Sequence, residues 1–186
     1  MNTRDQSTLR HASIASLVRK SHTGMGRTAV MKLTYFLQTL KAVPLGYSFR
    51  LYTYGPYDEQ VLEDLKVAET IGAVQIRAFN WQGGFGYEIT PGEKTDEIIR
   101  QASALIAPNE NSLDWILSEF GKRTAIDLEV ASTIVFVDRD TASNGKKLPI
   151  SELIARVHAI KPHHSDLKIA AEVEQLKKHG LLLAVQ

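Results

Sequence analysis

Apolar positions along the chain recur mostly at helical spacing. Over residues 7–20, Ile14, Leu17 and Val18 share one side while Ser13, Ser16, Arg19 and Lys20 face the other, which predicts a first helix ending near His22-Thr23-Gly24. From Arg27 onward Val30, Leu33, Leu37 and Leu40 recur at spacings of three and four, and Ala29 and Phe36 widen the stripe. This predicts a second, strongly amphipathic helix that Val43-Pro44-Leu45-Gly46 terminates. Residues 47–54 alternate Tyr47, Phe49 and Leu51 with Ser48, Arg50 and Tyr52, the period of a short strand, before Gly55-Pro56 turns the chain. Val61, Leu62, Leu65, Ala68 and Ile71 then predict a helix over 58–71, with Asp58 and Glu59 in its first turn and Gly72 as its stop. The extended runs AVQIRAF and YEITP, joined by NWQGGFG, predict a β-hairpin.

The remainder predicts helices over 94–106, 112–121 and 125–138. In the last of these the β-branched run 133–137 has strand character, but Ile126, Val130, Ile134 and Val137 keep a helical period. A helix with Leu153, Ile154, Val157 and Ile160 follows Pro149, and Lys161-Pro162 ends it. Ser165 caps a final helix that Gly180 stops, and LLLAV reads as a short strand. The fold class expected is mainly α with a small β component: a winged-helix-like unit over 1–92 and a mostly helical unit over 93–186. The likeness of DEQVLEDLKVAETIGAVQI to DLKIAAEVEQLKKHGLLLAV points to a second, partial winged helix near the C-terminus.

Composition narrows the class only. With 186 residues, 44% hydrophobic and 23% charged, the chain has the balance of globular domains rather than of a disordered or membrane protein. It has no cysteine, which excludes disulfide frameworks, cysteine-bound zinc and a thiol nucleophile. Arg4, Asp5 and Arg10 interrupt the N-terminal stretch where a signal peptide needs an apolar core, so a cytoplasmic protein is expected. The net charge of +1 hides a split: residues 1–56 carry +7, 57–131 carry −8 and 132–186 carry +2.

Motifs for chemistry are few. Gly24-Met25-Gly26-Arg27-Thr28 lacks the strand, glycine spacing and lysine of a phosphate-binding loop, and Gly83-Gly84-Phe85-Gly86 fits a hairpin turn better than a nucleotide fingerprint. Pro162 separates His158 from His163 and His164, and adjacent histidines on one helical turn point apart, so neither a metal nor any other cofactor is expected. No nucleophile elbow occurs. A winged-helix order with Arg10, Arg19, Lys20, Arg27 and Lys32 in the basic segment points to DNA. The expected reading helix opposes it, because Asp58, Glu59, Glu63, Asp64 and Glu69 outnumber Lys66 there. Glu59, Glu63 and Asp64, with Trp81 and Phe85 at the hairpin tip, are instead candidate contacts to a protein partner. Self-association through the charge split is a further outcome of the same pattern.

GRTAVMKLTYFLQ, YTYGPYDEQVLEDL and ELIARVHAIKPHHSDLKIAAEVEQLKKHGLL resemble segments of the YwgA-like family of bacterial proteins. Arg27, Thr28, Lys32 and Tyr35 carry the first match, and Tyr54, Gly55, Pro56 and Tyr57 the second. The Lys-Leu-x-Tyr helix and the Gly-Pro turn are similar, more distantly, to the Panacea domain of antitoxins. That resemblance implies a non-enzymatic regulator acting through protein contacts, antitoxin-like or associated with phage defence, with a toxin among the expected partners. A winged-helix DNA-binding transcription regulator is the alternative, and an enzyme of unrecognised mechanism the third reading. The Tyr-Gly-Pro-Tyr segment is expected to form a structural corner whose tyrosine rings pack inward.

Overall fold

The computed structural model describes residues 1–21, 23–81 and 84–185, with Trp81 described in its backbone alone. In chain order the elements are α1 (Thr3–Lys20), α2 (Arg27–Lys41), β1 (Arg50–Tyr52), β2 (Gly55–Tyr57), α3 (Glu59–Thr70), β3 (Val74–Trp81), β4 (Gly84–Pro91), α4 (Thr95–Gln101) and α5 (Ser103–Ile106). A 3-10 turn over Ala107–Asn109 leads into α6 (Glu110–Phe120), α7 (Ala125–Ser143), α8 (Ile150–Ile160) and α9 (Asp166–Lys178). The fold is mainly α with two small antiparallel sheets. No described helix is long and apolar enough to cross a membrane.

The chain forms two compact units, Met1–Phe49 with Asp58–Ala125, and Arg50–Tyr57 with Ile126–Gln186. The division therefore falls at Ala125, with one short segment exchanged, rather than after residue 92.

In the first unit α1 is the central element and packs on α2, α3, α4, α5, α6 and β4. All of residues 12–18 are buried, so Ser13 and Ser16, expected to face solvent, lie in the core. An amphipathic stripe describes a helix covered on one side, and α1 is covered all round. Small serines let neighbouring helices approach closely. α2 supplies the other half of the core, where Phe36 stacks on Phe120 of α6 with ring centroids 4.1 Å apart, both fully buried. Asp58 caps α3 by accepting from the Gln60 amide at 2.9 Å, and Gly72, with φ +79°, turns the chain out of it. β3 and β4 then pair from Val74↔Pro91 to Trp81↔Gly84, a longer hairpin than the sequence pattern predicts. Met25, between α1 and α2, bridges to Ile89 through two backbone hydrogen bonds of 2.9 and 2.8 Å.

In the second unit α7 is buried at every position from Leu128 to Val135, which resolves its β-branched run as helix. α8 and α9 pack on each other, and the Ser165 hydroxyl caps α9 at the Lys168 amide. The predicted strand over LLLAV is absent: Leu181–Val185 is irregular, with a single parallel bridge from Val185 to Leu148. The cause is Asp138 on α7, whose buried carboxylate accepts from the Leu183 and Ala184 amides at 2.8 Å. Those amides are thereby taken from any sheet ladder. The strand expected over 47–54 is likewise reduced to β1, which pairs with β2 in the register Arg50↔Tyr57, Leu51↔Pro56 and Tyr52↔Gly55.

Candidate functional site

The β3–β4 hairpin is anchored at its base and open beyond. Val74 and Ile89 are buried, whereas Arg77, Ala78, Phe79, Asn80, Gly84, Phe85 and Glu88 are exposed. Phe79 and Phe85 are 46% and 56% exposed, a costly display for large rings. Phe85 meets Tyr87 edge-on at 4.9 Å, and the Arg27 guanidinium lies 3.3 Å above the Tyr87 ring. The hairpin, the start of α2 and the turn after α6 enclose a cleft of about 640 Å³ whose lining includes Arg27, Thr28, Phe79, Phe85, Tyr87 and Lys122. The Trp81 side chain, the other aromatic expected at the tip, lies outside the described residues.

The cations expected to meet nucleic acid are mostly committed within the first unit. Arg10 donates to the Leu45 and Gly46 carbonyls at 2.6 and 2.7 Å, and its guanidinium covers the Tyr47 ring. Arg19 pairs with Asp96 at 2.8 Å, and Lys20 with Asp114 at 2.6 Å and Glu110 at 3.3 Å. Lys32 is buried, at 2% exposure, and so is not a surface phosphate contact. Arg27 lines the cleft beside the hairpin, whereas Arg19 and Lys20, which border a second cleft, are held there by their carboxylate partners. Basic arm and acidic middle segment thus partly neutralise each other inside one unit.

The acids of α3 divide. Glu59 and Glu63 are exposed, with Glu63 paired to Lys66 at 2.8 Å, and Glu69 accepts from the Ile76 amide at 3.2 Å on the β3 edge. Asp64 is not a surface contact at all: it is 3% exposed. Its carboxylate accepts from Tyr47 Oη at 2.8 Å and Gln60 Nε2 at 3.0 Å, with His11 Nε2 at 3.4 Å and Arg10 Nη1 at 3.7 Å. Burial alone pushes the Asp64 carboxyl upward, but the donors His11, Tyr47 and Gln60 outweigh it and hold it below its ordinary value. The same burial, with the Asp64 charge beside it, raises the Tyr47 phenol well above the usual range. Sequence patterning misses this network because its members come from α1, α3 and the loop between α2 and β1. Asp64, at a helical position facing the core, is its one visible signal.

In the second unit the Lys161 side chain is wholly buried, and its ammonium donates to Glu129 Oε1 at 2.5 Å and to the Thr53 carbonyl. His163 Nε2 lies 3.9 Å from the same Glu129 oxygen. The His163 and His164 rings, expected to diverge, have centroids only 4.2 Å apart. They converge because residues 161–165 form a turn between α8 and α9 rather than part of a helix. The Tyr-Gly-Pro-Tyr segment sits beside this cluster as β2 and the turn before it. Gly55 and Pro56 are buried and Tyr57 is half-buried, but Tyr54 is 69% exposed, so its ring is not the inward anchor expected. The constraint lies in Gly55, whose φ is +83° and where an added Cβ would stand 2.9 Å from Thr133 Oγ1 and 3.2 Å from Ser132 Oγ of α7. Gly55→Ala is expected to lower stability by at least about 1–2 kcal/mol, from the left-handed backbone alone. A urea melt of that variant beside Gly145→Ala checks it, since the positive-φ Gly145 has open space around it. Equal losses in the two would show that contact with α7 adds nothing. Tyr35, from the first matched segment, is buried on α2 and meets Phe49 edge-on at 5.1 Å, and Thr28 is half-buried in the first turn of that helix.

No family model matches this chain, and no curated protein matches it.

Proposed function

We propose that this protein is a non-enzymatic regulatory binding protein, antitoxin-like in its mode of action, that holds a partner protein with the β3–β4 hairpin. The observation that carries this reading is the pair Phe79 and Phe85, exposed on the outer part of the hairpin at the edge of a cleft. Aromatic side chains at the centre of an interface contribute most of its binding energy. Arg27 and Lys122 in the cleft fit a partner segment that inserts an apolar side chain flanked by carboxylates. The element order of helix, bridged residue, helix, helix and hairpin supports a winged-helix reading of the first unit, with α3 and the hairpin in the usual contact positions. A cytoplasmic setting belongs to the same proposal.

The test is capture from host lysate on immobilised protein, compared across variants. Phe79→Ser and Phe85→Ser are each expected to weaken retention of the captured protein by about 2 kcal/mol, roughly thirtyfold in Kd. Glu59→Gln, on exposed α3, should leave retention within about threefold, as rim charges act mainly on encounter rate. A partner retained equally by the serine variants would overturn the proposal. Retardation of random duplex DNA at low salt, abolished by Arg27→Ala with Lys122→Ala, would replace it with the DNA-binding reading.

A further inference from the structure

We propose that Glu129, His163 and His164 form a binding site for one divalent transition-metal ion of the zinc type. Each residue offers a ligand atom, and the atoms lie within 4.8 Å of one another. A tetrahedral ion with bonds of about 2.0–2.1 Å holds its ligand atoms about 3.3 Å apart. Closure thus needs ring movements on the order of 1 Å, which χ rotations in the turn between α8 and α9 supply. Two imidazoles and one carboxylate are a donor set suited to zinc, copper, nickel or iron, and unsuited to calcium or magnesium, which take oxygen.

Two features set this group apart from a chance surface cluster. His164 Nε2 is shielded from solvent and has no hydrogen-bond partner among the described residues, which leaves it open to a ligand. Glu129 is buried and held in place by Lys161, so the carboxylate is oriented before any ion arrives. The ammonium at Oε1 does not exhaust the group, because a carboxylate carries about four lone-pair sites on its two oxygens. It does repel a second cation. Lys161 therefore makes the site weaker than the same ligands would be alone and ties ion binding to the contact that Lys161 makes with Thr53. Three protein ligands leave at least one coordination position for water or a partner's side chain.

Untagged protein stripped with a chelator is titrated with Zn²⁺ by calorimetry and with Co²⁺ by visible absorption. The expected result is one ion per chain, with the intense ligand-field bands of a low-coordinate Co²⁺ complex, and no saturable binding of Mg²⁺. Loss of a mere outer partner of a metal ligand costs about 10- to 100-fold in affinity, so His163→Ala and His164→Ala should each cost at least about tenfold. His163 is 60% exposed on a turn, so its replacement leaves the fold intact, which circular dichroism verifies. Absence of saturable Zn²⁺ binding, or binding that persists unchanged in the double alanine variant, would overturn the proposal.

Discussion

Replacing Glu129 with alanine is expected to destabilise the second unit by about 3–5 kcal/mol, the usual consequence of stranding one member of a buried ion pair. Lys161 is wholly buried, and without the carboxylate its ammonium keeps the Thr53 carbonyl and the Tyr54 ring 5.9 Å away, neither of which carries a countercharge. Lys161→Met is expected to cost a similar amount, since it leaves the Glu129 charge buried beside His163. The double replacement Glu129→Leu with Lys161→Met removes both charges together and should recover most of the loss, as apolar substitutes for buried pairs commonly do. Chemical denaturation of the four proteins, read as a double-mutant cycle, gives the coupling directly. Single losses below about 1 kcal/mol would mean that water reaches the pair and that it acts as a surface contact.

Acid is expected to weaken the first unit through Asp64. Its carboxyl is held below the ordinary 3.8 in the folded chain, so folding favours the ionised form. The contribution is complete above about pH 5, where the unfolded carboxyl is also ionised, and is lost progressively as pH falls through the ordinary value and then the lower folded value. Asp64→Ala removes the acceptor from buried Tyr47 Oη and from Gln60 and should cost about 3 kcal/mol at pH 7. The gap between this variant and the parent should narrow as the acid limb is reached, because protonation removes from the parent part of what the mutation removes. Urea midpoints at pH 7 and pH 3 decide the matter, and a gap that stays constant would show that Asp64 is not the group titrating.

What the sequence made legible was whatever a single helix or turn determines by itself. Stripes at three and four placed α2, α3, α6, α8 and α9, and Asp58, Gly72, Ser165 and Gly180 marked where two of them start and stop. What remained hidden depends on residues far apart in the chain. Ser13 and Ser16 carry no sign that α1 is enclosed on all sides. Leu181–Val185 has the composition of a strand, and only the Asp138 carboxylate, 45 residues earlier, diverts its amides. Lys161 looks like an ordinary basic residue at a helix end until Glu129, 32 residues away, and Thr53, 108 away, are seen beside it. The two histidines follow the helix end at Lys161-Pro162, so the helical geometry by which adjacent rings point apart does not apply to them, and the turn brings both rings together. The candidate hairpin site is visible in the sequence at Trp81 and Phe85, whereas Phe79 reads only as the end of the extended run AVQIRAF.

The assignment of Arg50–Tyr57 to the second unit makes the two units interleaved along the chain rather than consecutive. The β1–β2 hairpin leaves the ribosome early, while α7 and the Lys161 that grips it come much later, so the second unit stays incomplete until almost the whole chain exists. Loop closure over 108 residues must precede that grip, a slow, non-local step. No single cut releases either unit whole: a fragment ending at Ala125 carries an orphaned hairpin, and one beginning at Ile126 lacks the carbonyl that Lys161 needs. A recombination event with one breakpoint therefore cannot transfer either unit intact.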